Sequence, residues 1–298
     1  MSAPNLLAVA DLHVGHAGNR AVLEALRPAT DEDWLIVAGD VAERFDEIAG
    51  ALELLASRFA RVIWAPGNHE LWTLPDDPVR LRGDARYRAL VELCRGLGVL
   101  TPEDPYALWP GPDGPVAVAP LFLLYDYTFR PRGTTTKDAA LAAAHAAGVV
   151  CTDELLLHAD PFPDRESWCQ ARLAVTERRL AALDPALPTV LVNHFPLRRE
   201  QTYLLRHPEF ALWCGTEHTA DWHRRFHAVA VVYGHLHIPR TVRADGVPFH
   251  EVSLGYPHEW SRRGGVPSPL RRILPAPARQ SAAVPPTLRP LVGPAARL

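Results

Sequence analysis

The sequence predicts a layered α/β sandwich built on one large domain. Three observations carry this. Short apolar runs rich in Val, Leu and Ile recur along the chain, helical stretches separate several of them, and the second half turns mostly to strands.

In chain order, the expected strands are Leu6–Ala10, Trp34–Ala38, Val62–Ala65, Val116–Ala119, Val190–Val192 and Val229–Tyr233. Each is a nearly continuous apolar run, the pattern of a strand covered on both faces. A helix is expected over Ala42–Phe59, where Phe45, Ile48, Ala49, Leu52 and Leu55 recur at helical spacing. Arg88–Leu97 and Glu166–Leu183 read the same way, and Asp184-Pro185 stops the second of these. Two stretches are long for plain connections, about 120–165 and 195–226. They are dense in aromatic and polar side chains and are expected to form a cap over the sheet.

The domain is expected to span 1–263. Residues 264–298 hold eight Pro, three Gly and five Arg with no acidic and no aromatic residue, and are expected to be a disordered tail. The tail's charge of +5 leaves the body at −8 within a net charge of −3 (-3 minus 5). An acidic body disfavours an electrostatic nucleic-acid binder. No apolar run is long enough to span a membrane, and no secretory leader pattern opens the chain. Cys94, Cys151, Cys169 and Cys214 are widely spaced with no CxxC pair, which reads as reduced thiols of a cytoplasmic protein.

The chemistry lies just past the strands. Asp11 and His13 follow the first run, Gly39-Asp40 the second and Gly67-Asn68-His69-Glu70 the third. Asn193-His194 and Gly234-His235-Leu236-His237 follow the last two. In an open α/β sheet the carboxyl ends of the strands share one rim, where ligands bind. The donors are carboxylate, imidazole and carboxamide with no thiolate, a set suited to Mn, Fe or Zn. Seven such groups exceed the needs of one tetrahedral ion, so two divalent ions are expected. Such a pair can hold a bridging water and clamp a phosphoryl group.

These residues together resemble the signature of calcineurin-like metallophosphoesterases, across residues 6 to 237. The resemblance implies a four-layer α/β/β/α sandwich with two mixed β-sheets and a cap region. It implies one metal held by Asp11, His13, Asp40 and His237, and a second held by Asp40, Asn68, His194 and His235. Asp40 would bridge them. His69 would touch the phosphate and assist the leaving oxygen.

A narrower similarity, to actinobacterial phosphopantetheinyl hydrolases, lies in DWLIVAGDVAERF (33–45), LFLLYDYTF (121–129), VLVNHFPL (190–197), PEFALWCG (208–215) and GHLHIPR (234–240). It implies a metal-dependent phosphodiesterase acting on holo acyl carrier protein, cleaving the diester between serine and 4′-phosphopantetheine. The metal residues alone report a reaction class and leave other phosphodiesters open, cyclic nucleotides among them. An inactive scaffold of the same fold is the other alternative, but it predicts broken ligand positions and none is broken. Arg44, Tyr125 and Asp126 are candidates for substrate contact; packing roles in a helix turn and in the cap explain them equally well.

Overall fold

The computed structural model describes residues 4–266 and 268–276. In chain order the elements begin β1 (Leu6–Val9), α1 (Ala17–Ala25), β2 (Trp34–Val37), α2 (Phe45–Ala56), β3 (Arg61–Trp64), α3 (Asn68–Leu71) and α4 (Gly83–Gly96). Then come β4 (Ala107–Gly111), β5 (Gly114–Pro120), α5 (Lys137–Ala146), α6 (Asp153–Leu156), α7 (Arg165–Ala181) and β6 (Thr189–Val192). The last are α8 (Trp222–Arg225), β7 (Ala228–Tyr233), β8 (Arg240–Ala244), β9 (Val247–Glu251), α9 (Pro257–Arg262) and β10 (Arg271–Leu274).

Two mixed sheets form, ordered β10-β1-β2-β3 and β4-β5-β6-β7-β9-β8. The strands carrying the donor loops run parallel to their neighbours: β1 with β2, β2 with β3 and β6 with β7. Antiparallel strands close the edges, β10 on β1, β4 on β5 and β8 on β9.

Side-chain alternation explains the layering. On β1, Leu6 and Ala8 enter an inner cluster with Ile36, Ile63, Val118, Val190, Ala230 and Val232 from both sheets. Leu7 and Val9 face the other way, into a cluster with Ile48, Leu52 and Leu55 of α2. The strands β1, β2, β3, β6 and β7 thus bury both faces, which is why their runs read as continuously apolar. Full burial of each Leu, Ile or Val favours the fold by roughly 1.5–3 kcal/mol.

The sheets meet where β1 ends. Ala10 donates to Val252 O at 3.1 Å, and Leu254 donates back to Ala10 O at 2.9 Å. This junction fixes one rim for both sheets.

Two expectations need correction. The helix expected from Ala42 starts at Phe45, because Arg44 stays extended and Glu43 is drawn towards two histidines. The domain does not stop at 263: β10 lies in the stretch expected to be a tail, and Ile273 packs in the inner cluster. Averaging composition over 35 residues hid a four-residue edge strand. Residues 277–298 lie outside the described residues. No helix among the described residues is long and apolar enough to cross a membrane. The four cysteines are free and buried.

The cap turns its aromatics inward. Tyr125, Tyr127, Phe129 and Trp213 are fully buried, and α5 packs on the 3₁₀ segment Pro208–Trp213.

Candidate metal centre

Each of the seven expected donors sits within four residues of the end of β1, β2, β3, β6 or β7. The shared rim brings them together across more than 200 residues of chain. Among the eight described non-glycine residues with positive φ, five are Asp11, His13, Asp40, His235 and His237. L-residues adopt that conformation at a cost, and such strain concentrates at functional sites. Gly39 carries the close approach: a Cβ there would lie 2.7 Å from His194 Nδ1 and 2.6 Å from the Gly67 nitrogen.

The donors form two adjoining groups. In the first, His237 Nε2 lies 3.1 Å from Asp11 Oδ1 and 3.4 Å from His13 Nε2. His13 Nε2 is also 4.0 Å from Asp40 Oδ2. In the second, His194 Nε2 is 3.3 Å from Asp40 Oδ2, and Asp40, His194 and His235 converge. Asp40 belongs to both.

A cation suits this arrangement on three counts. Asp11 and Asp40 are buried, yet no Lys or Arg among the described residues pairs with either. Buried charge needs a counter-charge. Asn68 Oδ1, His194 Nε2 and His235 Nε2 are buried and lack any hydrogen-bond partner. The donor chemistry is nitrogen and oxygen without sulfur, appropriate to manganese, iron or zinc.

The ring nitrogens facing away from the centre are held by groups the sequence reading missed. Glu43 Oε1 lies 3.3 Å from His13 Nδ1 and 2.8 Å from His69 Nδ1. Glu259 Oε2 lies 2.8 Å from His237 Nδ1, and the Ala38 carbonyl oxygen 2.9 Å from His194 Nδ1. Ser253 Oγ donates to Asp11 Oδ2 at 2.7 Å. Such partners fix the tautomer and turn Nε2 inward. Glu70 ties two loops together, accepting from the backbone N–H groups of Asp40, Val41 and Gly67. Burial and the neighbouring Asp40 charge push its carboxyl up to about 7. The signal for Glu43 and Glu259 was available in principle, since an inward Nε2 requires an acceptor at Nδ1. Nothing in their spacing selects them.

Electrostatics follow from burial and proximity. Burial alone would raise the Asp11 carboxyl, but the His237 charge beside it holds it at about 2. Burial opposes charging of His194, yet Asp40 outweighs it and lifts the imidazole to about 10. His237 is raised for the same reason by Asp11. His235, buried and next to His194, falls to about 3. A proton and a cation therefore compete for these ring nitrogens of His194 and His237. Metal loading is expected to release protons, with affinity rising with pH. Calorimetric titration in buffers of different ionisation enthalpy measures this; zero proton release would contradict the competition between proton and cation at these two rings.

His69 adjoins the centre and forms a third converging group with His13 and Glu43. Its Nε2 is 3.8 Å from Asp40 Oδ2, and its ring lies against Trp72 with centroids 3.7 Å apart. Burial opposes its charging, but Asp40 and Glu43 outweigh it and raise its pKa.

The other candidates lie elsewhere. Arg44 pairs with exposed Asp76. Tyr125 is fully buried against Tyr127 and Phe195. Asp126 accepts from Thr128 and Thr216 inside the cap. None of the three lines the cavity over the metal centre. That cavity holds about 660 Å³. Asp40, Asn68, His69, His235 and His237 line one end, and the cap segments 148–152 and 204–207 with Phe210 line the other walls.

A buried carboxylate–imidazole rim at the ends of parallel strands, fitted for two cations, defines a metal-dependent phosphoesterase. The family model for calcineurin-like phosphoesterases matches residues 4–239, and the chain belongs to that family. It is 56% identical over 274 residues to the [acyl-carrier-protein] phosphodiesterase PptH of Mycobacterium tuberculosis, covering 92% of this chain and 84% of that one. The crystal structure of phosphopantetheinyl hydrolase (PptH) from the same organism superposes with a TM-score of 0.90 at 56% identity, covering 93% of this chain and 98% of that one.

Proposed function

We propose that this protein hydrolyses the phosphodiester joining 4′-phosphopantetheine to the serine of holo acyl carrier proteins. The observation that carries the reading is 56% identity to such a phosphodiesterase over 92% of the chain, cap included. The candidate donor groups support it, with Asp40, Asn68, His235 and His237 lining the cap-walled cavity.

Asp11, His13, Asp40 and His237 would hold one divalent ion, and Asp40, Asn68, His194 and His235 the other. Manganese is the preferred ion, with iron and zinc compatible with the same donors. Two ions bound there supply an activated water and neutralise charge on the phosphoryl oxygens. The chain's own residues do the rest. Glu43 fixes the His69 ring through Nδ1, and His69 Nε2 delivers a proton to the serine oxygen as its bond to phosphorus breaks. Apo carrier protein and 4′-phosphopantetheine result. Four buried, free cysteines and a carrier-protein substrate suit the cytoplasm.

The cavity is where the pantetheine arm lies. Its walls are mixed: Val149, Val150, Leu204, Leu205 and Phe210 offer apolar surface to the alkyl parts, and Thr152 and the backbone offer partners to the amides. Four of the six large exposed hydrophobic residues among those described stand on these two cap segments or adjoin them, namely Val150, Leu155, Tyr203 and Leu204. They form the seat for the carrier protein. Leu155→Glu and Tyr203→Glu are each expected to raise KM for the carrier about tenfold more than KM for a small aryl phosphodiester, equal to about 1.4 kcal/mol. Steady-state kinetics on both substrates measures the ratio; equal changes would remove the carrier seat from this face.

A further inference from the structure

The cap reaches the metal centre through one carboxylate. Asp153 opens α6 and is fully buried. Its Oδ1 accepts from Asn68 Nδ2 at 2.9 Å and from Trp72 Nε1 at 2.7 Å. The surrounding segment is fastened on both sides. Arg165 donates to the Asp153 carbonyl at 2.7 Å, to the Leu157 carbonyl at 3.0 Å and to the Glu154 carboxylate at 3.0 Å. The Thr73 N–H donates to Leu156 O at 3.0 Å, so this part of the cap is also tied to the chain just past α3.

A carboxamide can present either of two atoms to the metal centre, and only its oxygen binds a cation. Asp153 Oδ1 is an acceptor, so Asn68 meets it through Nδ2. Asn68 Oδ1 is left on the other side of the amide, buried and without a partner. The reversed amide would set two acceptor oxygens against each other and turn N–H groups towards the cation. The same Asp153 oxygen holds the indole that backs His69.

We propose that Asp153 is a positioning residue that keeps Asn68 Oδ1 turned towards Asp40, His194 and His235, so that retention of the second divalent ion depends on it. This rests on the two-ion reading above. Asp153 stands in none of the candidate donor groups among the described residues and acts through Asn68.

The test is Mn²⁺ titration of the metal-stripped full chain, with elemental analysis after gel filtration. The unsubstituted protein is expected to hold two ions. Asp153→Ala is expected to keep the first and weaken the second about 10–100-fold, the usual range for losing an outer partner of a ligand. Asp153→Asn retains an acceptor oxygen for both donors and is expected to keep both ions. Trp72→Phe removes the other donor while leaving the Asn68 bond, and is expected to keep both as well. Two tightly held ions in Asp153→Ala, or equal loss of the second in Trp72→Phe, overturns the proposal.

An exchange pair serves if the alanine variant does not fold. Asn68→Asp sets two carboxylates against each other, and adding Asp153→Asn restores a donor between them. Tighter second-ion binding in the double variant than in Asn68→Asp alone supports the proposal, and equal or weaker binding overturns it. A single ion in the unsubstituted protein would fail the two-ion reading itself, and the proposal with it.

Discussion

Asp40→Asn is expected to lower phosphodiester hydrolysis by at least about 10²–10³-fold, the cost of losing one preorganised charged group in a dry site. Asp40 is the one carboxylate shared by both donor groups, with His194 Nε2 at 3.3 Å and His13 Nε2 at 4.0 Å from its Oδ2. Asparagine keeps the shape, and its oxygen can still accept the His69 N–H that Asp40 Oδ1 accepts at 3.0 Å. It removes the charge and points N–H groups to where the cations belong. Metal content should therefore fall below two ions while the fold persists. Activity assays paired with elemental analysis check both parts. Full activity with two ions would undo the bridging role.

His69→Ala is expected to keep both ions and slow turnover by about 10²–10⁴-fold, the contribution of a positioned general acid. The loss should depend on the leaving group. A serine alkoxide is basic and needs a proton; a nitrophenolate does not, so the deficit on an aryl diester should be much smaller. Asp40 and Glu43 outweigh burial and raise the His69 pKa, which favours the protonated ring. Parallel kinetics on carrier protein and aryl diester measure the contrast. Loss of an ion in His69→Ala would make His69 a ligand, a role also open to it through the His13–Glu43–His69 group.

The convergence of the seven candidate donors was legible because the topology is simple where they sit. Five apolar runs each end in a polar donor, and parallel strands send those ends to one rim. Asp11 and His237 thus meet at 3.1 Å although 226 residues separate them. The outer partners were not legible for a physical reason. Glu43 acts because the chain stays extended before α2, and Glu259 because α9 folds back beside His237; neither position has a periodic or spacing signal. Asp153 is an ordinary acidic residue at the start of a short helix until Asn68 is seen against it. The edges of the sheets were similarly hidden. β4, β8 and β10 are short strands with exposed residues, where composition no longer distinguishes strand from loop. Aromatic density in the cap pointed to Tyr125 and Asp126, but aromatics there fill the interior. The cavity walls come from plainer segments, around Val149–Thr152 and Leu204–His207.

Charge bears on the partner in the same way. Arg198, Arg199 and Arg225 are taken up in ion pairs with Glu200, Glu217 and Glu177, so these three arginines do not form a free basic stripe. Arg206 borders the cavity instead, within a cap segment that also exposes Tyr203, Leu204 and His207.

The most direct test is the intact mass of a holo acyl carrier protein after incubation with the purified, Mn²⁺-loaded protein. The expected result is loss of the entire 4′-phosphopantetheine group, giving apo carrier and free phosphopantetheine. A carrier of unchanged mass, beside a preparation that still cleaves an aryl phosphodiester, would contradict the carrier-protein substrate while leaving the metal centre in place.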